Sequence, residues 1–491
     1  MSGAPAAQDL EENQTKSMRY TKIIGTLGPS SSDYETQKKL VEAGLNIARL
    51  NFSHGDHDMH LRNIESIRRI AKETGKSIAI LQDLQGPKIR VGKLLGDQMT
   101  LTSGEVYELR FGTEQTDKNI IPIDYRGLIH DVSEGQRVMM DDGLLILQVQ
   151  KVKSAGVDVK VLEGGLLKNR KGVNFPDSKL SLPAMTDKDS KDLLFGIANN
   201  VDYVALSFVQ DPSDIRQIKA MIKALGSDVP VVAKIEKLPA IDKIDEIAEL
   251  ADGLMVARGD LGVEANVERV PILQRKIIDA AVKKGKPVII ATQMLESMIT
   301  NSRASLAEIA DVANGVLDGA DCLMLSGEVA SGKYPIKCVE RMASIIEKVE
   351  AWTFKHNPRY SYLENPKTQD WEVNESVAIS ACEAAHAIDA KAIVCLTLTG
   401  SVAKSISKWR PQCPIFAISP RRDVANRLSL VWGVYGIPNP SFYNTDSLVQ
   451  DLPQALKDLK VVDSDDVVVI TAGIPINQMK PTNMVKINRI P

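Results

Sequence analysis

The sequence nowhere runs to about 18 consecutive apolar residues, so no segment is a candidate for a membrane-spanning helix. It has no long basic block, and its net charge is only -3, which leaves no electrostatic case for binding nucleic acid or a membrane and makes small anions the expected ligands. Cysteine is scarce. Cys322, Cys338, Cys382, Cys395 and Cys413 are an odd set without CxxC spacing, which favours buried free thiols in a reducing cytosol. The first residues, MSGAPAAQDLEENQTKSM, lack an apolar core and carry acidic side chains. A disordered tail over residues 1–17 and a cytoplasmic protein are therefore expected, rather than a secretory signal or a transit peptide. Two nucleotide motifs are also missing. Gly327–Lys333 fits G-x-x-x-x-G-K, but Tyr334 stands where a P-loop needs Ser or Thr, and no G-x-G-x-x-G links a strand to a helix.

What is present is the composition of a soluble globular protein, 44% hydrophobic and 25% charged, in 491 residues that allow two to four domains. From Lys22 onward one unit recurs: a short β-branched strand, a polar or glycine strand end, then charged residues at helical spacing. Eight strands are predicted, at Ile23–Gly28, Asn46–Ser53, Ser77–Gln85, Val201–Val209, Pro230–Glu236, Gly253–Asp260, Pro287–Met294 and Cys322–Glu328. Eight such units meet the requirement for a closed (β/α)8 TIM barrel, whose reactive groups stand at the C-terminal strand ends. More than a hundred residues separate the third strand from the fourth, and segments there such as VYELRF, LLILQVQKV and VDVKVLEGG alternate or run apolar between turns. An all-β domain is inserted at that point, placed to act as a lid. After about Glu350 the stretch HNPRYSYLENPKTQD reads as a linker, and the strand-like AIVCLTL, PIFAI, VVVIT and MVKIN beyond it predict an open α/β sheet. The expected organisation is a tail (1–17), a barrel in two parts (18–86 and 183–353), an inserted β lid (87–182) and a C-terminal α/β regulatory domain (354–491).

The run from Val231 to Glu264 reads as strand, helix, strand, and both strands stop on charge. Parallel strands joined by a crossover helix end on the same edge of the sheet, so Glu236 and Asp260 are expected near each other with Lys234 beside them. Two carboxylates with open remaining positions suit Mg²⁺, with Mn²⁺ as an alternative, and the ammonium would stabilise an anionic ligand. The second strand ends ARLNFSHG, which puts Arg49, Asn51 and Ser53 on one face at period two. An inner barrel strand has no solvated face, so Arg49 is assigned as a fork for phosphate oxygens, and Asn51 and Ser53 as neutral oxygens for a cation or a phosphate. His54 is either a ligand contact or a cap. In DLQGPKIR, Asp83 adds a carboxylate at the mouth, Gly86-Pro87 marks a hinge, and Lys88 and Arg90 add charge that a solvated loop would carry too. Thr292 and Ser326 end the seventh and eighth strands, where hydroxyls relay a proton through water or simply satisfy backbone groups. The turn Thr397–Val402 offers hydroxyls and a glycine at a helix N-terminus, which suits a phosphate or ordinary capping by Thr399 or Ser401.

The motifs ARLNFSHG, DLQGPKIR, AKIE, MVARGDLGVE, IIATQMLESM and MLSGE, in this order, closely resemble those of the pyruvate kinase family, and the match covers everything after the tail. The resemblance implies phosphoryl transfer from phosphoenolpyruvate to ADP, giving pyruvate and ATP. It implies Mg²⁺ on Glu236 and Asp260, the substrate carboxylate on backbone N–H groups near Gly259 and Asp260, and Lys234 and Arg49 stabilising the phosphoryl group. It further implies that Thr292 binds substrate and helps protonate the enolate carbon, with Ser326 in the same relay. Asn51, His54, Arg90 and Lys171 would line the nucleotide side. Potassium-dependent members carry glutamate at the position of Lys88 and hold the ion with residues matching Asn51, Ser53, Asp83 and the backbone of Leu84; the ammonium here implies activity without K⁺. The turn at Thr397, Thr399, Gly400 and Ser401 lacks the basic residues of bisphosphate-binding members, so a monophosphorylated effector or none is expected. A homotetramer follows from the same resemblance. The rival is a Mg²⁺-dependent TIM-barrel lyase or aldolase acting on phosphoenolpyruvate or pyruvate enolates.

Overall fold

Eight short parallel strands close on themselves at the centre of the computed structural model, which describes residues 18–178, 180–356, 373–439, 452–459, 461–474 and 482–491. The tail and nearly all of the predicted linker lie outside the described residues. The strands are β1 (Lys22–Thr26), β2 (Ile47–Asn51), β3 (Ala79–Asp83), β4 (Tyr203–Leu206), β5 (Val231–Ile235), β6 (Gly253–Ala257), β7 (Val288–Ala291) and β8 (Cys322–Leu325). They pair in the order β1-β8-β7-β6-β5-β4-β3-β2, and β1 joins both β8 and β2. Each strand is apolar on both faces because each face is covered. Outward residues such as Ile23, Ile80, Val231 and Leu254 pack beneath the surrounding helices, while Ile24, Ile47, Leu81, Tyr203, Val232, Met255 and Ile289 fill the interior. Leu430, from the C-terminal domain, belongs to the interior set and packs into the barrel floor.

The strands are shorter than their apolar runs predict. β6 stops at Ala257, and Arg258–Ala265 is a helix, so Arg258, Gly259 and Asp260 form a first helical turn rather than a strand end. β7 stops at Ala291 because Thr292 and Gln293 take φ of 69° and 56°. Ser326 is the residue that precedes the one-turn helix Gly327–Ala330. Three C-terminal strand ends thus run straight into tight turns.

Between β3 and β4 the chain builds a separate sheet with its own core, including Leu109, Val138, Leu147 and Val159. Six strands run in the spatial order Val173–Asn174, Arg137–Met140, Leu145–Val152, Val157–Glu163, Val106–Phe111, Ile120–Ile123. A two-stranded sheet (Gln98–Leu101 with Gly165–Lys168) and the one-turn helix Leu128–Asp131 complete this part. The C-terminal sheet consists of β9 (Ala392–Leu396), β10 (Ile415–Ser419), β11 (Val434–Pro438), β12 (Val467–Ala472) and β13 (Met484–Arg489), in the order β11-β10-β9-β12-β13 with β13 antiparallel. β11 was not expected. Its sequence, VYGIP, carries a glycine and a proline that read as a turn, and it is an edge strand, where both residues are tolerated.

Candidate active site

Period-two alternation sets the site. On β5, Val232 points into the packed interior and Lys234 stands above it; on β2 and β3, Ile47 and Leu81 are likewise surmounted by Arg49 and Asp83. The Lys234 ammonium lies 3.1 Å from Glu236 Oε1, 3.2 Å from Asp83 Oδ1 and donates to Ser207 Oγ at 2.8 Å. Ser207 in turn donates to the Leu84 carbonyl at 2.6 Å. Arg49 grips the other side of Asp83, with Nη2 at 2.6 Å and Nε at 2.8 Å from Oδ2, and donates from Nη1 to Thr26 Oγ1. The second Glu236 oxygen accepts the Phe208 N–H at 2.6 Å.

Burial works against the charges of Lys234, Asp83 and Glu236, and the neighbours outweigh it for the first two. For Lys234 burial favours the neutral amine, but the Asp83 and Glu236 carboxylates outweigh it and raise its pKa. Burial likewise pushes the Asp83 carboxyl up, and Lys234 with Arg49 pulls it below the ordinary value. For Glu236 burial prevails, with the negative charge of Asp260 adding to it against the pull of Lys234, so its pKa is raised. Two carboxylates close enough to repel are what a divalent cation relieves. Among the described residues no group of three or more His, Cys, Asp or Glu side chains is arranged to hold a metal. Glu236 with Asp260 fits Mg²⁺, which takes one or two protein carboxylates and completes its shell from water and ligand oxygens.

The opposite wall is built from the turns after β6, β7 and β8. Gly259 N–H donates to Thr292 Oγ1 at 3.0 Å, and that hydroxyl donates to the Ala291 carbonyl at 2.6 Å. The left-handed Thr292-Gln293 turn is held by a residue the sequence reading placed only as a strand end: Arg258, whose guanidinium donates to the carbonyls of Thr292 (2.6 Å) and Gln293 (3.2 Å) and pairs with Asp311 at 2.8 Å. Buried Glu328 joins the β7 and β8 turns by accepting the N–H groups of Leu295 and Ser326. The Ser326 hydroxyl is buried and has no hydrogen-bond partner among the described residues.

The remaining predicted positions are more scattered. Lys88, at the start of the inserted domain, reaches to 3.5 Å from Asp260 Oδ1. Asn51 Oδ1 accepts the Ser53 N–H, and the His54 carbonyl accepts from His60 Nε2. Arg90 donates to the Arg170 carbonyl, and Lys171 pairs with Asp141 at 2.6 Å, a contact within the inserted domain. In the C-terminal domain Thr397 Oγ1 accepts the Gly400 N–H, and Thr399 Oγ1 accepts the Ser401 N–H and donates to Ser401 Oγ. These hydroxyls bond within their own turn, as capping groups do.

A closed barrel that carries an inserted β domain and holds a lysine among carboxylates at its C-terminal strand ends has the form of a barrel enzyme acting on a small anion. Residues 18–339 match the family described as "Pyruvate kinase, barrel domain", and residues 375–488 the one described as "Pyruvate kinase, alpha/beta domain". The chain belongs to the pyruvate kinase family. It is similar to pyruvate kinase 2 of Synechocystis sp., 44% identical over 473 residues that cover 96% of this chain and 79% of that one. A pyruvate kinase of Staphylococcus aureus is 42% identical over 477 residues, covering 96% and 81%. The crystal structure of a pyruvate kinase from Cryptosporidium parvum superposes with a TM-score of 0.89 at 35% identity, covering 96% of each chain.

Proposed function

We propose that this phosphotransferase moves the phosphoryl group of phosphoenolpyruvate to ADP, giving pyruvate and ATP, the last step of glycolysis, in the cytoplasm. The observation that carries the reading is the Lys234 ammonium, fixed by Asp83, Glu236 and Ser207 beside a helical first turn. Glu236 and Asp260 would hold Mg²⁺, which when bound supplies charge neutralisation on the substrate's oxygens. The N–H groups at Gly259 and Asp260 receive the substrate carboxylate. As a β-phosphate oxygen of ADP bonds to phosphorus and the bond to the enol oxygen breaks, Lys234 and Arg49 balance the charge on the moving group and on the enolate left behind. Thr292 binds substrate and, with the free Ser326 hydroxyl, passes a solvent proton to the enolate carbon.

Residues 87–182 act as the lid, and Asn51, His54, Arg90 and Lys171 form the nucleotide side. Lys88 substitutes for a monovalent cation at the position formed by Asn51, Ser53, Asp83 and Leu84. The assembly is a homotetramer, and any effector at Thr397–Ser401 is monophosphorylated. The test is pyruvate formation in a coupled assay. It should require ADP, and Lys234→Met should lower kcat on the order of 10³-fold or more while Mn²⁺ still binds. Pyruvate released without ADP would sink the reading in favour of a lyase.

A further inference from the structure

The two segments through which the chain enters and leaves the lid are tied by one carboxylate. Asp189, fully buried near the start of the helix Asp187–Ala198, accepts the Gly86 N–H on Oδ1 at 3.1 Å. Its Oδ2 accepts the Thr186 N–H at 2.9 Å and the Thr186 hydroxyl at 2.6 Å. Gly86 is a position that only glycine fits. Its φ is 70°, and a Cβ there would stand 2.8 Å from the Ser207 side chain and 2.9 Å from the Phe208 ring. Those are the residues that hold Lys234 and Glu236.

The same helical turn also grips the loop after β2. Lys188 Nζ donates to the Phe52 carbonyl at 2.7 Å, between Asn51 and Ser53, and pairs with nearly buried Asp192. Asp192 Oδ1 takes His57 Nε2 at 2.8 Å, its carbonyl takes Gln82 Nε2 at 2.6 Å, and Phe195 stacks on the His57 ring at 4.3 Å. One turn of helix therefore has the Gly86 segment on one side and the Asn51–His54 loop on the other, through the adjacent residues Asp189 and Lys188.

We propose that this turn is the link through which lid position sets the Asn51–His54 loop, with Asp189 and Lys188 as its positioning residues. A lid swinging about Gly86 and Thr186 turns the helix start through Asp189, and Lys188 carries that displacement to the Phe52 carbonyl. The inference rests on the reading of this loop as part of the nucleotide side.

The experiment is steady-state kinetics on Lys188→Met, Lys188→Arg and Asn51→Ala, with melting temperatures in parallel. Lys188 is an exposed side chain, so its replacement is compatible with folding. Lys188→Met should raise the KM for ADP about tenfold and that for phosphoenolpyruvate less than about twofold. Lys188→Arg, which keeps a donor, should restore most of the loss. Combining Lys188→Met with Asp189→Asn should raise the KM for ADP no more than about twofold beyond the worse single variant, since a link is broken only once. An ADP effect from Asn51→Ala with none from Lys188→Met overturns the link alone. Equal losses for both substrates together with a lower melting temperature show a merely structural contact and overturn it too. Asn51→Ala without effect on ADP removes the nucleotide reading of the loop, and the link with it.

Discussion

Arg49 meets Asp83 with two nitrogens and Thr26 with a third, so the plane of its guanidinium is fixed before any ligand arrives. Lysine would supply one point charge and no fork. Arg49→Lys is expected to lower kcat/KM for phosphoenolpyruvate by about 10²-fold, and a loss under about threefold would show that the orientation does not matter. Lys88 presents the complementary case, a charge brought near Asp260 from the start of the inserted domain. Replacing K⁺ by tetramethylammonium should leave the wild-type rate unaltered, whereas Lys88→Glu should gain about tenfold or more on adding K⁺. Equal K⁺ activation of both proteins would refute the substitution. Lys234, Glu236, Asp83 and Arg49 are legible in the sequence because each is a charge inside an apolar run, with alternation fixing the face. Arg258 and Asp189 are not, since their partners, the Thr292 carbonyl and the Gly86 N–H, are 34 and 103 residues away and leave no local pattern.

At the scale of elements, the consequential difference from expectation is the turn after β6. Alternation and β-branching follow the strand through Val256, but nothing in RGDLGVE marks the switch from strand to helix at Arg258. That switch puts Gly259 and Asp260 in the first turn of a helix, where the Gly259 N–H donates to the Thr292 hydroxyl. A Cβ on Gly259 would meet only the Thr292 hydroxyl, at an ordinary 3.7 Å, so the folded chain accommodates it. Gly259→Ala should therefore keep or raise stability, by up to about 1 kcal/mol from helix propensity, yet raise the KM for phosphoenolpyruvate by intruding on the carboxylate position. Thermal melting and kinetics on the same sample check both halves; an unchanged KM would place the carboxylate elsewhere. The barrel strands, and Val106–Phe111, Leu145–Val152 and Val157–Glu163 of the inserted domain, are readable from periodicity and apolar runs, whereas the shorter inserted strands are not, and β11 is hidden by the glycine and proline that its edge position permits.

Across the whole molecule, the barrel floor and the C-terminal domain share a charged interface. Arg410 pairs with Asp321 and stacks on Trp432, Glu350 accepts the N–H groups of Tyr20 and Thr21, and Lys22 lies 3.8 Å from the Tyr435 ring centroid. Burial, with Arg19 adding to it, lowers the Lys22 pKa from 10.5 to about 7 against the weaker pull of Cys322, Glu350 and Asp321. Between those values the unfolded chain binds a proton that the folded chain does not. The contribution of Lys22 to stability is thus greatest at alkaline pH and is lost as pH falls toward about 7. Lys22→Met should melt above wild type near neutral pH, and the gap should narrow from about pH 7 to about pH 9. A gap constant with pH would show that Lys22 is charged throughout.

Leu430 gives this interface a direction in time. It packs into the barrel interior, and its carbonyl accepts from Cys322 at 3.2 Å, 108 residues earlier in the chain. A ribosome releases β8, which closes the ring, well before it releases the side chain that seals the floor. Until then the barrel interior lacks one of the apolar side chains that fill it, so the C-terminal domain completes the packing of the barrel core.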